Sequence, residues 1–283
     1  MKSPLRFVPL AAALLFATAS GLRAEILVKS GEKIAFLGDS ITQGGWASPT
    51  GYVKLVIAGL EANGVDAVPV PAGISGHKSN DMLARLKRDV LDKQPQWMTL
   101  SCGVNDVWHG KGGVPLDDAE AASGQYTTKP NEPEKGTYKK NITAIIDQAQ
   151  AAKIKPVILT ATVIHEELNN QENQKLAPYN DFLRSLAAER HLPLADLNKL
   201  FQERIKTENK PGQKVLTKDG VHMNPEGDRL MATGILQAFG LDDAQLAKAR
   251  EAWDKIPAAK PAPPKPAAST PAAPAAAPAA PAK

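Results

Sequence analysis

From Glu25 onward, short apolar runs alternate with longer stretches that carry apolar residues at helical spacing. That alternation constrains the fold strongly. A strand buried on both faces needs cover on each side, and parallel strands joined by crossover helices provide it. Residues 34–37, 66–71, 97–101, 156–162 and 192–195 read as five strands, the second an edge strand because of its prolines. Between and after them, 51–63, 80–93, 137–153, 197–208, 225–239 and 242–256 read as helices, and 171–191 as one helix or a pair. Asn224 and Pro225 are the N-cap and first residue of a helix, and Gly64 is a stop signal. The fold class is therefore α/β with a parallel sheet. Only 110–136, rich in Gly, Pro, Asp and Thr, breaks the rhythm, and reads either as a lid or binding loop or as a poorly ordered segment.

A chain of 283 residues holds one such domain comfortably. The ends of the chain differ from its middle. Residues 1–24 begin with Lys2 and Arg6, continue as an apolar core from Phe7 to Ala19, and finish in small residues up to Ala24. This is the pattern of a cleavable secretory signal, too short for a comfortable membrane span. Residues 258–283 hold only Ala, Pro, Lys, Ser and Thr, a composition that cannot bury enough surface to order itself. The expected organisation is a signal peptide at 1–24, one folded domain at 25–257 and an extended tail at 258–283. Lys2, Arg6, Arg23, Lys260, Lys265 and Lys283 stand in segments without an acid, so the chain's +4 becomes −2 for 25–257. A mildly acidic domain with no basic block argues against nucleic acid as a partner. Cys102, the single cysteine, permits no internal disulfide, and no cysteine stands near the cleavage site to carry a lipid anchor. No later stretch is apolar enough to span a bilayer, and a secreted or periplasmic location is expected.

Chemistry-bearing residues gather where the strands should end. Gly38-Asp39-Ser40 terminates the first run, which places a serine at the carboxyl edge of the sheet, where open α/β folds bind ligands. Asp219 and His222 stand three apart just before a helix, a spacing that sets a carboxylate beside an imidazole. Taken alone, each is as readily a turn or a cap. Gly73 and Gly76 follow the second strand and Asn105 the third, and backbone N–H groups and a neutral amide can face a developing oxyanion. His77, His109 and His165 fall at the same edge, whereas His191 reads as structural and Cys102 as a buried small hydrophobe. No His-x-x-x-His pair or cysteine cluster is present, so neither a metal nor another cofactor is expected.

The blocks Gly-Asp-Ser-Ile at 38–41, Gly-Ile-Ser-Gly at 73–76, Gly-Val-Asn-Asp at 103–106 and Asp-Gly-Val-His at 219–222 resemble those of the GDSL, or SGNH, hydrolases, and occur in that family's order. The resemblance spans residues 34 to 240. It implies a three-layer α/β/α, flavodoxin-like domain with about five parallel strands. It also implies Ser40 as nucleophile, His222 as general base, Asp219 as the residue orienting it, and an oxyanion hole of the Ser40 and Gly76 N–H groups with the Asn105 amide. Ile41 replaces the leucine of the family name, and Pro71 stands where an asparagine often precedes the second block.

The expected activity is thus hydrolysis of carboxylic esters through an acyl-enzyme. Trp46 and Trp108, close to two of the blocks, favour a carbohydrate if their indoles are exposed to stack on sugar faces; the alternative is that both belong to the core. With Asp39, His77 and His165 they make the expected substrate-contacting set, and deacetylation of a polysaccharide is the first expectation. Lysophospholipase, thioesterase or arylesterase activity is the rival. A non-catalytic carbohydrate-binding or envelope protein on the same scaffold is the reading of another class.

Overall fold

The strand Lys33–Gly38 (β1) is buried over its last five residues, as an unbroken apolar run requires when both faces are covered. The computed structural model to which it belongs describes residues 25–208 and 212–257; the expected signal peptide and tail lie outside the described residues. Around β1 the strands Val68–Gly73 (β2), Trp97–Ser101 (β3), Lys155–Leu159 (β4) and Leu194–Ala195 (β5) form one parallel sheet in the order β2-β1-β3-β4-β5. This is a flavodoxin-like order, and it agrees with the α/β sandwich expected from sequence. Pro69 and Pro71 pair with Ile34 and Phe36 on the edge strand, where a missing N–H is tolerated.

The helices in chain order are Ser40–Ala47 (α1), Tyr52–Glu61 (α2), Ser79–Asp89 (α3), Val104–Trp108 (α4), Asp118–Ala121 (α5), Tyr138–Ala151 (α6), Gln171–Glu189 (α7), Leu197–Glu208 (α8), Pro225–Ala238 (α9) and Asp243–Asp254 (α10). On one side α2 packs against α9 and α10, and α8 against α9; on the other α3 packs against α6 and α6 against α7. The sheet lies between these layers, and its apolar residues join both into one core. Trp97 meets Phe239 edge to face at 5.5 Å between ring centroids, and the Trp253 indole N–H donates to the Leu55 carbonyl at 2.8 Å.

Several elements differ from their sequence-based bounds for physical reasons. Gly38-Asp39-Ser40 does not end in a loose turn, because α1 starts at Ser40 with Asp39 as N-cap. The fourth strand stops at Leu159; Thr160 N still donates to the Ala195 carbonyl at 3.1 Å, and from Ala161, whose N–H turns to Asn180 Oδ1, the chain leaves the ladder. Residues 171–189 form one helix. Pro178 sits on its exposed face, where the Gln174 carbonyl that it leaves without a helical N–H partner can reach water. The 110–136 segment is long and mostly irregular but firmly tied. Lys135 donates to the Gly112 and Gly113 carbonyls at 2.8 Å each, and the Glu120 carboxylate accepts from Leu116 N, Tyr179 and the Tyr126 hydroxyl.

Candidate active site

Ser40 is held by packing as well as by capping. Asp39 accepts from Ile41 N at 2.9 Å and satisfies one of the free donors at the start of α1. Gly38 is required because the first turn of α1 lies directly on it: a Cβ there would stand 1.9 Å from Thr42 Oγ1. Thr42 in turn accepts from the Tyr52 hydroxyl at 2.8 Å, and Tyr52 N donates to Asp228 of α9 at 2.9 Å. The helix that starts at the serine is therefore bound to the helix that follows His222.

Asp219 and His222 occupy the tip of a tight loop. Thr217 and Met223 bridge as an antiparallel pair at its base, and Lys218 N donates to the His222 carbonyl at 2.8 Å. At the tip Asp219 Oδ1 accepts from Val221 N at 2.9 Å and from His222 N at 2.8 Å, which leaves Oδ2 for the ring. His222 Nδ1 lies 2.6 Å from Asp219 Oδ2, and His222 Nε2 lies 2.9 Å from Ser40 Oγ. A carboxylate on Nδ1 selects the tautomer with its proton there, so Nε2 faces the serine as an acceptor. Partial burial works against the charge on Asp219, but the His222 ring and the two N–H groups outweigh it and hold the carboxyl down at about 2. An acceptor nitrogen on a hydroxyl, backed by a fixed anion, can move a proton from that hydroxyl and return it.

The expected oxyanion donors stand at the ends of three neighbouring strands. Ser40 follows β1. Gly76 follows β2 with φ +78°, and its Cα faces open space. Asn105 lies in α4 after β3, buried, with Nδ2 donating to the His77 carbonyl at 3.1 Å. That bond uses one amide hydrogen and fixes the direction of the other. Among the described residues, neither Ser40 N–H nor Gly76 N–H donates to a protein acceptor.

The expected substrate-contacting residues separate. The Asp39 carboxylate is buried beneath α1 as a cap, and burial pushes it up to about 6 against the pull of Ile41 N–H. Trp46 is partly buried, and Lys54 Nζ sits 3.3 Å above its ring, so that face is taken. Trp108 is 38 % exposed and meets the His165 ring edge-on at 6.4 Å. His165 packs against the loop of Asp219 and His222, its backbone N–H donating to the Gly220 carbonyl at 2.7 Å. His77 Nδ1 accepts from Arg85 Nε at 3.0 Å, which requires a neutral ring with its proton on Nε2. Burial, together with the Arg85 charge, keeps His77 below its ordinary pKa.

Arg85 was not among the residues expected from sequence. Its buried guanidinium also donates to the carbonyls of Gly38 at 2.8 Å and Ala72 at 2.9 Å, and pairs with Asp89 at 3.0 Å. It thereby ties the ends of β1 and β2 to the turn that carries Gly76. The available signal was positional: Arg85 falls between Met82 and Leu86, on the apolar stripe of its helix. Gln43, accepting from Ser75 N at 2.9 Å, fastens that turn to α1 from the other side. Among the described residues no group of three His, Cys, Asp or Glu side chains could hold a metal.

Comparison with known proteins identifies the family. Residues 36–230 match the GDSL-like Lipase/Acylhydrolase family, a span that contains all four sequence blocks. An acetylxylan esterase of Geobacillus stearothermophilus is 29% identical over 232 residues, covering 76% of this chain and 97% of the relative. The uncharacterized lipoprotein YqeF of Bacillus subtilis (strain 168) is 24% identical, over 72% of this chain and 88% of its own. The crystal structure of the acetyl xylan esterase AlAXEase superposes with a TM-score of 0.58 at 32% identity, covering 73% of this chain and 98% of that one. The chain belongs to the GDSL-like lipase/acylhydrolase family and is a carboxylic ester hydrolase.

Proposed function

We propose that this chain removes acetyl groups from carbohydrate through a Ser40–His222–Asp219 triad. The observation that carries the reading is the unbroken line from Ser40 Oγ through the His222 ring to Asp219, with contacts of 2.9 and 2.6 Å. Ser40 Oγ attacks the ester carbonyl carbon as His222 Nε2 takes its proton, and Asp219 stabilises the imidazolium. The oxyanion forms against Ser40 N–H, Gly76 N–H and Asn105 Nδ2, neutral donors already fixed in place. Collapse breaks the bond to the sugar oxygen, which leaves with the proton from His222, and acetyl remains on Ser40. Water then gives a proton to His222 as it attacks the acetyl carbon. Acetate departs and Ser40 recovers its proton.

Support for the substrate comes from the two acetylxylan esterases and from Trp108, whose exposed indole beside His165 offers a face to a sugar ring. The same proposal includes removal of residues 1–24 as a leader and a position outside the cytoplasm, supported by the pattern of that segment and by the lipoprotein relative. The test sets acetylated xylo-oligosaccharides beside a series of p-nitrophenyl esters of rising chain length. Acetate release from the oligosaccharides and a preference for acetyl are expected. A preference for long acyl chains would overturn the carbohydrate reading, and hydrolysis retained in a folded Ser40→Ala variant would overturn the nucleophile.

A further inference from the structure

We infer that Glu166 is a positioning residue that sets the register of the loop carrying Asp219 and His222; the inference rests on the triad reading above. Glu166 lies 53 residues before Asp219 in sequence and touches neither it nor the serine, yet its carboxylate gathers the stem of that loop. Oε2 accepts from Val215 N at 2.5 Å. Oε1 accepts from Leu216 N at 2.9 Å, Thr217 N at 2.8 Å and the Thr217 hydroxyl at 2.7 Å. Three consecutive backbone donors and a hydroxyl thus converge on one charged group, and hydrogen bonds to an ionised acceptor are about twice as strong as neutral ones.

The hold extends to the tip. With its proton committed to Glu166, Thr217 Oγ1 turns a lone pair to Gly220 N, which donates to it at 3.1 Å. Gly220 follows Asp219 directly. The neighbouring residue grips the same point, since His165 N–H donates to the Gly220 carbonyl at 2.7 Å. The His165 residue lies so close there that a Cβ on Gly220 would stand 2.4 Å from its ring Nδ1 and 3.3 Å from its Cα. Residues 164–167 are themselves anchored by Asn173 of α7. Its Oδ1 accepts from Ile164 N at 2.9 Å, and its Nδ2 donates to the Ile164 carbonyl at 2.8 Å and the Glu167 carbonyl at 3.2 Å. The carboxylate is thus the last link between a rigid helix and the acid–base pair. The loop keeps independent means of closure, namely the Thr217–Met223 bridge and the Asn224 side chain on the Val215 carbonyl at 3.0 Å. Losing the clamp should therefore loosen the tip while the domain stays folded.

Glu166→Gln is the test. An amide presents an N–H₂ where an oxygen now accepts, so it cannot satisfy both the Val215 donor and the Leu216–Thr217 set. On an acetyl ester kcat is expected to fall on the order of 10- to 100-fold, the scale of a small misplacement of catalytic groups, with KM changed by less than about twofold. The low-field proton resonance of the His222–Asp219 bond should weaken or move upfield. Thr217→Val removes only the hydroxyl link and should move kcat and the resonance in the same direction; it decides the question if Glu166→Gln does not fold. Wild-type kcat with an unmoved resonance in the folded variants, even with a lowered melting temperature, would reduce Glu166 to a stabilising residue and overturn the inference. Ser40→Ala, run alongside, tests the triad separately: activity there would defeat the underlying reading whatever Glu166 does.

Discussion

Replacing Arg85 by methionine should damage stability and turnover together. The side chain is 5 % exposed, and its guanidinium donates to Gly38 O, Ala72 O and His77 Nδ1 while pairing with Asp89. Methionine keeps most of the apolar stem and removes every donor. Asp89 loses least, because Arg88 still holds it at 2.6 and 2.9 Å. The two strand-end carbonyls and the imidazole nitrogen are left to find other partners. A buried polar group without one costs about 1–3 kcal/mol. Since His77 is only half-buried and can turn toward water, the total is about 3–5 kcal/mol. That is a large share of the roughly 5–15 kcal/mol that holds a domain folded. At about 2–4 °C for each kcal/mol, melting should fall by roughly 10 °C, measured by calorimetry and by a matching drop in the urea midpoint at constant slope. Turnover on an acetyl ester should fall as well, well below the melting temperature, because Gly38 leads into Ser40 and Ala72 leads into the Gly76 turn. A melting temperature within about 2 °C of the parent, with undiminished turnover, would refute this account of the strand-end tie.

Asn105→Ala removes one proposed oxyanion donor and should lower kcat by about 100- to 1,000-fold with the fold intact; near-normal turnover in a well-folded variant would take Asn105 out of the mechanism. Asp39 and Asp228 are raised from 3.8 to about 6, in each case chiefly by burial. A carboxyl with a raised folded-state pKa adds stability below its unfolded value and loses that contribution as pH rises to the folded one. Both therefore erode stability between about pH 4 and 6. Asp39→Asn keeps an accepting cap on Ile41 N, so it should flatten that part of the curve and raise stability at pH 7; a chemical-denaturation series against pH that keeps the parent slope would contradict it.

The strands were legible because a sheet covered on both faces demands unbroken apolar runs, and those at 34–37 and 97–101 lie within or on β1 and β3. The candidate site residues were legible because three of the blocks sit where a strand ends, the fourth stands just before a helix, and each carries a residue type with its own chemistry. Helix α1 was not, since Ser-Ile-Thr-Gln-Gly-Gly has poor helical propensity and is held by the Asp39 cap and close packing on Gly38. Arg85 and Glu166 were hidden for a different reason. Apart from the place of Arg85 on an apolar stripe nothing local marks them: the bond that ties Arg85 to the end of β1 spans 47 residues and that of Glu166 to Val215 spans 49, and no local spacing records a bond across such a distance. The 110–136 segment looked loose because what fixes it lies elsewhere: Lys78, Lys175 and Tyr179 supply contacts to Glu132 and Glu120 from outside the segment.

Ser40 and His222 stand 182 residues apart, at nearly opposite ends of the folded part of the chain. Their meeting requires α9 to dock on α2, and α9 is made only after all five strands. On the triad proposed above, a growing chain that has not yet produced His222 carries a serine with no base, chemically no more reactive than any other hydroxyl. Hydrolytic power arrives at one late step, when the final third closes against the first strand. Recovery of ester cleavage after dilution from denaturant thus times a contact across 182 residues of chain rather than the early collapse.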